Sequence, residues 1–204
     1  MTSSWDDSRR AFGDASAWFL DTVAHVADRW AEPALGEWDI RALVGHTGRS
    51  FITVETYLAQ PADAVVVDST ADYYRAIREL ATGPAVAERG REAGRALGED
   101  PMESLSTNAS RVLRLVEELE GTELLTTLAG GMRLGDYLPT RTFELVVHTL
   151  DLARALDLPL DVPARPAAQA LELVSELAID DDLAGPLLLA TTGRGALPTG
   201  FSIL

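Results

Sequence analysis

The spacing of apolar residues is the feature that most limits the fold of this chain. Apolar side chains recur every three or four residues in one segment after another, which predicts amphipathic helices that bury one face. Short linkers with proline or glycine separate these segments, as expected for helices that fold back on one another. The predicted helices cover residues 4–30, 39–60, 70–95, 101–120 and 136–156.

Several residues mark where these helices begin and end. Asp39 is a suitable N-cap for the second helix, and Pro101 lies in the first turn of the fourth, with Gly121 just past its end. The third helix is expected to break near residues 82–84. A weak alternation around Gly130 and Gly131 predicts a small hairpin before the last helix. Residues 1–156 are therefore predicted to form an antiparallel helix bundle.

The sequence changes character after residue 156. Three prolines, Pro159, Pro163 and Pro166, indicate a linker. A helix is predicted over residues 167–179, followed by two short strands within residues 187–204. The expected fold is mainly α, with a bundle over residues 1–156 and a small C-terminal α/β appendage over residues 157–204.

Charge and cysteine content exclude several kinds of function. The chain has 204 residues and a net charge of -15, from 17 basic and 32 acidic residues, which argues against binding nucleic acid or an anionic membrane surface. It has no cysteine, so a sulfur nucleophile would have to arrive on a cofactor. We find neither a signal-peptide pattern nor a long apolar run, and expect a cytoplasmic protein without a membrane span.

The last helix of the bundle carries three titratable residues in an apolar setting. Glu144, His148 and Asp151 follow one another at spacings of four and three, so they share one helical face. His46 lies in the second helix between small residues that leave room around its imidazole. If the two helices face each other, His46, Glu144 and His148 could bind one metal ion and leave a coordination position open. Glu144 and His148 could instead form a simple ion pair, and for His25 we expect only a solvated or packing role.

Two segments resemble a known family. "WDIRALVGHTGR" (residues 38–49) and "RTFELVVHTLDLARALDLP" (residues 141–159) are similar to the signature segments of the mycothiol-dependent maleylpyruvate isomerase family. The closing "TTGRGALPTGFSIL" is similar to the C-terminal tail of that family. The resemblance implies a DinB-like antiparallel four-helix bundle with a metal held by His46, Glu144 and His148.

The resemblance also implies a reaction. A divalent metal, with zinc the first expectation, would bind the sulfur of mycothiol as a thiolate that attacks an electrophilic small molecule, giving cis–trans isomerisation or S-transfer. Such chemistry needs a cation near the developing negative charge. Arg141 and Arg49 lie one helical turn from the predicted ligands. The C-terminal tail is shorter than in the founding isomerases of the family, and Arg194 is its candidate, as the one basic residue after Arg165. Asp151 is expected to support the ring of His148.

Two other functions stay open from the sequence. The same bundle could act without a thiol, as a metal-dependent hydrolase or a biosynthetic cyclase. It could also be a non-catalytic bundle, with a structural metal or none. A fourth protein ligand would favour the non-catalytic alternative. Two imidazoles and a carboxylate accept several divalent ions, so they do not identify the metal. The chain is expected to be a monomer or a homodimer.

Overall fold

Helices make up most of the structure, a computed structural model that describes residues 4–78 and 84–204. The mainly α fold predicted from the sequence is confirmed. None of the helices in these two ranges has both the length and the apolar character needed to cross a membrane. The helices are α1 (Trp5–Val23), α2 (Ile40–Leu58), α3 (Thr70–Ile77), α4 (Pro84–Ala96), α5 (Pro101–Glu117), α6 (Leu134–Ala155), α7 (Ala164–Asp180) and α8 (Ala184–Thr191). The strands are β1 (Pro33–Leu35), β2 (Trp38–Asp39), β3 (Leu124–Thr127) and β4 (Gly130–Arg133).

Four of these helices form the predicted bundle. Helices α1 and α2 each pack against both α5 and α6, so the four surround one core. Phenylalanines of α1 and α2 meet inside it. The ring centroids of Phe12 and Phe19 lie 6.1 and 6.3 Å from that of Phe51, and all three side chains are fully buried. This packing places α2 directly beside α6, as the metal hypothesis requires.

Local interactions explain where α2 begins and where α1 ends. The Asp39 carboxylate accepts a hydrogen bond from the backbone N–H of Ala42 at 2.7 Å, so the predicted N-cap of α2 is confirmed. The prediction that the first helix continues to Trp30 is wrong, because α1 ends at Val23. Ala27 has a φ of 51°, which a continuing right-handed helix cannot contain. Val26 is nevertheless fully buried, so its apolar character reflects loop packing rather than helical period.

Helix α4 lies against α2 at very short range. A Cβ atom on Gly45 of α2 would lie 2.2 Å from the backbone nitrogen of Gly94, so the two helices touch backbone to backbone. The pair of glycines therefore sets the distance between the helices. The break predicted in the third helix covers residues 82–84. Residues 82 and 83 lie outside the described part of the chain, and α4 begins at Pro84.

The predicted hairpin before α6 is confirmed. Strands β3 and β4 pair antiparallel, and Thr127 pairs with Gly130 across a two-residue turn. The carbonyl of Gly131 accepts hydrogen bonds from the N–H groups of Val66 and Val67 at 2.7 and 3.0 Å. A Cβ on Gly131 would lie 1.9 Å from the carbonyl oxygen of Ala64, so only glycine allows this contact.

The C-terminal segment differs from the prediction. Helix α7 packs on α1 and α6, and its Leu173 and Leu177 are buried in the same core as the bundle. The two strands predicted within residues 187–204 are wrong, since α8 covers the leucine run and no strand follows it. A short apolar run does not distinguish helix from strand, and here the run packs against helix α7. A domain boundary at residue 156 stays a prediction.

Candidate metal centre

The three predicted ligands meet between α2 and α6. Nε2 of His46 lies 3.9 Å from Oε2 of Glu144, and Nε2 of His148 lies 3.4 Å from the same oxygen. One donor atom from each residue lies within 4.8 Å of the other two. The two imidazole rings are nearly perpendicular, with centroids 4.9 Å apart. The packing of two distant sequence segments thus brings two imidazoles and one carboxylate to a single point.

The ionisable groups of this cluster shift one another's pKa values. Burial acts to raise the pKa of Glu144, but its contacts with His148 and His46 and the charge of Arg141 outweigh burial and hold that pKa well below its ordinary value. Burial likewise acts to lower the pKa of His148, but hydrogen bonds with Asp151 and Glu144 raise it to about 9. For His46 burial dominates and lowers the pKa. Glu144 is therefore an anion and His46 a neutral imidazole at neutral pH.

Two further side chains fix the orientation of the predicted ligands. Nδ1 of His148 lies 3.2 Å from Oδ2 of Asp151, which leaves Nε2 directed at Glu144. The hydroxyl of Tyr74 lies 2.9 Å from Oε1 of Glu144. Burial and the neighbouring Glu144 carboxylate raise the pKa of Tyr74 well above its ordinary value, so the phenol keeps its hydrogen. Asp151 thus contacts the ring of His148, whereas sequence reasoning missed Tyr74.

Trp38 closes one side of the cluster. Its ring centroid lies 4.6 Å from that of His46 and 6.4 Å from that of His148. The indole Nε1–H donates to the carbonyl of Ala87 at 2.9 Å, which ties this ring to α4. A Cβ on Gly90 would lie 2.4 Å from the indole, so α4 offers the ring a flat backbone surface. Trp38 begins the first signature segment, but sequence reasoning gave it no function.

The donor set fits a divalent metal. Two imidazole nitrogens and a carboxylate oxygen are ligands that zinc and several other divalent ions accept. Among the described residues, no fourth histidine, aspartate or glutamate joins the group. Nε2 of His46 is the nitrogen that faces Glu144, and Nδ1 is buried without a hydrogen-bond partner. The site could therefore hold a metal through three side chains and leave room for a further ligand.

The cluster forms part of the wall of a cavity of about 930 Å³. The cavity contrasts with the acidic surface of the chain, because four arginines line it and the acidic side chains among its lining residues are Glu144 and Asp181. An anionic small molecule would find a favourable potential there. The four arginines are Arg49, Arg78, Arg89 and Arg141.

Arg141 is the most deeply placed of these cations. Its side chain is 9% exposed, and its Nε donates to the hydroxyl of Thr140 at 2.9 Å. The guanidinium lies over the rings of Tyr137 and Tyr73, at 5.0 and 5.8 Å from their centroids. Burial acts to lower the pKa of Arg141, but these tyrosines and Glu144 raise it, so the charge persists. No carboxylate of the described residues forms an ion pair with this arginine.

The remaining candidates divide into two groups. Arg49 lines the cavity. Arg194 does not, since it lies on the surface and its Nη1 donates to the carbonyl of Thr192 at 3.3 Å. The structure therefore does not bring Arg194 to the site. His25 is exposed, with Nδ1 2.9 Å from the carbonyl of Asp21, in agreement with the solvated role expected for it.

The chain was compared with known protein families, with curated proteins and with solved structures. A family model described as the mycothiol maleylpyruvate isomerase N-terminal domain matches residues 9–153. The matched range is more than half of the chain and includes all three predicted ligands. Comparison with curated proteins and with solved structures gave no match.

Proposed function

The chain belongs to the family of the mycothiol maleylpyruvate isomerase N-terminal domain, and on this basis we propose that it is a metal-dependent enzyme that uses mycothiol. Its substrate would be an electrophilic small molecule, converted by cis–trans isomerisation or by S-transfer. The observation that carries the proposal is the convergence of His46, Glu144 and His148, with donor atoms within 4.8 Å of one another, in the wall of a cationic cavity.

His46, Glu144 and His148 would hold the metal, with zinc our first expectation. When bound, the metal and mycothiol would together supply a thiolate at neutral pH, the nucleophile that a chain without cysteine lacks. Asp151 keeps Nε2 of His148 turned toward the site. Trp38 shields the imidazole of His46 from water on one side.

Arg141 would stabilise negative charge on the substrate. Its guanidinium is buried, remains charged and lines the cavity without a carboxylate partner among the described residues. An oxygen of the substrate that gains charge during the reaction would find this cation already oriented, so no rearrangement is needed at that moment. Arg49 lines the same cavity and would add to the attraction for an anionic substrate.

Metal and thiol binding test the proposal in sequence. We expect protein purified without added metal, then titrated with Zn²⁺ in a calorimeter, to bind one ion per chain. His46→Ala should abolish tight binding, whereas His25→Ala, at an exposed position, should not. If the wild-type chain shows no tight metal binding, the proposal is wrong.

Mycothiol separates this function from the alternatives. We expect mycothiol to raise the melting temperature of the zinc-loaded chain but not that of the metal-free chain. Mass spectra of the product from a cis-unsaturated oxo-acid then distinguish isomerisation, which leaves the mass unchanged, from S-transfer, which adds the thiol. A chain that binds zinc but shows no thiol effect would favour a hydrolase or cyclase of the same bundle. The cytoplasmic location and the oligomeric state stay predictions.

A further inference from the structure

The two oxygens of the Glu144 carboxylate have different neighbours. Oε2 is the oxygen that Nε2 of His46 and Nε2 of His148 approach, at 3.9 and 3.4 Å. Oε1 lies 2.9 Å from the hydroxyl of Tyr74. Oε2 therefore faces the two imidazoles, and Oε1 accepts a hydrogen bond from Tyr74 of α3.

Tyr74 is held firmly where it makes this contact. Its side chain is 6% exposed, and its ring packs edge-on against Phe143 and Tyr73, at centroid distances of 5.3 and 5.7 Å. Its hydroxyl also lies 3.1 Å from the carbonyl of Thr140, one helical turn before Glu144. The single hydrogen of the phenol is shared between these two acceptors of α6, and the ring cannot turn away without repacking α3.

The anchoring of α3 limits its movement further. The side chain of Ser69 caps its N-terminus by accepting from the N–H of Asp72 at 3.0 Å. Thr70 donates to the carbonyl of Asp136 at 2.9 Å, which connects α3 to the first turn of α6. Arg75 forms an ion pair with Asp180 at the end of α7. These contacts fix the position of the Tyr74 phenol along the axis of α6.

From this geometry we infer that Tyr74 is a positioning residue that makes Glu144 a one-oxygen ligand. The inference rests on the proposed metal function and concerns its coordination. With Oε1 engaged by the phenol, Oε2 is the carboxylate oxygen that would bind the metal, and the protein would supply three donor atoms. Without the phenol, Oε1 would be free to turn toward the metal and fill the position that the thiol would need. Tyr74 would thereby keep that position open.

Metal titration of Tyr74→Phe tests the inference without an activity assay. Because Oε1 would add a donor to the metal in Tyr74→Phe, we expect the zinc Kd of this variant to fall below that of the wild type. A rise of about 10- to 100-fold, typical of the loss of a residue that only supports a metal ligand, would instead overturn the inference. Cobalt-loaded Tyr74→Phe should also show a changed visible absorption spectrum, because the number of oxygen donors changes. Tyr57→Phe is the matched control, since Tyr57 lines the same cavity but does not contact Glu144. Its zinc Kd and cobalt spectrum should match those of the wild type.

X-ray absorption on the zinc-loaded wild type provides a second test that needs no variant. We expect one carboxylate oxygen and two imidazole nitrogens from the protein. A carboxylate that binds through both oxygens would overturn the inference, as would a Tyr74→Phe chain with unchanged Kd and spectrum. These results differ from failure of the proposed function, in which the wild type itself binds no metal and both ideas are wrong.

Discussion

The indole ring of Trp38 lies beside the imidazole ring of His46, with centroids 4.6 Å apart and planes tilted by 36°. The two residues are eight positions apart, on either side of the helix start at Ile40. The β1–β2 hairpin turns the chain immediately before Trp38, and the Asp39 cap then starts the helix that carries His46. A local turn and a helix cap are thus sufficient to bring an aromatic wall against a predicted metal ligand.

This proximity makes Trp38 an optical reporter of metal binding. A paramagnetic ion such as Co²⁺ held by His46 would quench the fluorescence of an indole this close. We expect Co²⁺ to quench part of the emission of the wild type and much less of the emission of Trp38→Phe. Trp18→Phe, on α1, serves as the control and should retain the quenching. Equal quenching in the wild type and Trp38→Phe would contradict the location proposed for the metal.

Two glycine-to-alanine substitutions should have opposite effects on stability, because Gly45 lies in the tight contact between α2 and α4 and Gly13 does not. A Cβ on Gly45 would lie 2.2 Å from a backbone nitrogen of α4, so Gly45→Ala must push the helices apart. We expect it to reduce the free energy of unfolding by about 1–3 kcal/mol. A Cβ on Gly13 would meet only a side-chain atom of Leu113 at 4.0 Å, and Gly13→Ala should stabilise α1 by about 0.5–1 kcal/mol. Urea denaturation of both variants checks the signs, and a stable Gly45→Ala would refute the tight contact.

The part of the site that could be predicted from the sequence depends on local geometry. Glu144 and His148 lie one helical turn apart, so any helix brings them together, and small neighbours indicated space around His46. The contact of Tyr74 with Glu144 could not be found in this way, because it depends on how α3 packs on α6. An aromatic residue at an apolar position of a helix is usually a core residue, and nothing in its spacing indicates a hydroxyl contact.

The errors in the predicted fold also arise because residue spacing carries no information about how elements pack on one another. Val26 and Trp30 extend the helical spacing of α1, yet the chain has left the helix and continues to pack on the core. The leucines of α8 form an apolar run that suits either a strand or a helix. Which one forms depends on whether a partner strand lies nearby, and spacing carries no information about that.

Proton release is expected when the metal binds. The carboxylates of Asp151 and Glu144 overcome burial and raise the pKa of His148 to about 9, so its imidazole carries a proton at pH 7 in the metal-free chain. Because a metal needs the Nε2 lone pair, it must displace that proton, and affinity should rise with pH up to the raised pKa. His46, with its lowered pKa, has no proton to lose.

Calorimetry in buffers of different ionisation enthalpy measures this release. We expect close to one proton per zinc ion at pH 7 for the wild type, and less than one near pH 10. Asp151→Asn removes one of the two carboxylates that raise the pKa of His148, so zinc binding to this variant should release fewer protons at pH 8. Metal binding at pH 7 that releases no proton would show that His148 is neutral or is not a ligand.

Arg141 should control turnover without controlling metal binding. Its guanidinium lies over two tyrosine rings, and Thr140 is its hydrogen-bond partner. Since the charge is buried and has no carboxylate partner among the described residues, a substrate oxygen is the group best suited to neutralise it. We expect Arg141→Gln to lower kcat/KM by about 10²- to 10³-fold, as for the loss of one donor to a developing oxyanion. Zinc content should stay at the wild-type level.

A second substitution separates charge from shape at this position. Arg141→Lys keeps the charge but loses the planar group that stacks on the tyrosines, so it should recover only part of the activity. Arg154→Gln is the matched control on the same helix, because Arg154 is exposed in the last turn of α6 and should leave kcat/KM unchanged. Steady-state kinetics with the substrate identified by the product analysis supply the comparison. Full activity in Arg141→Gln would mean that the substrate anion is stabilised elsewhere, and Arg49 would then be the next position to substitute.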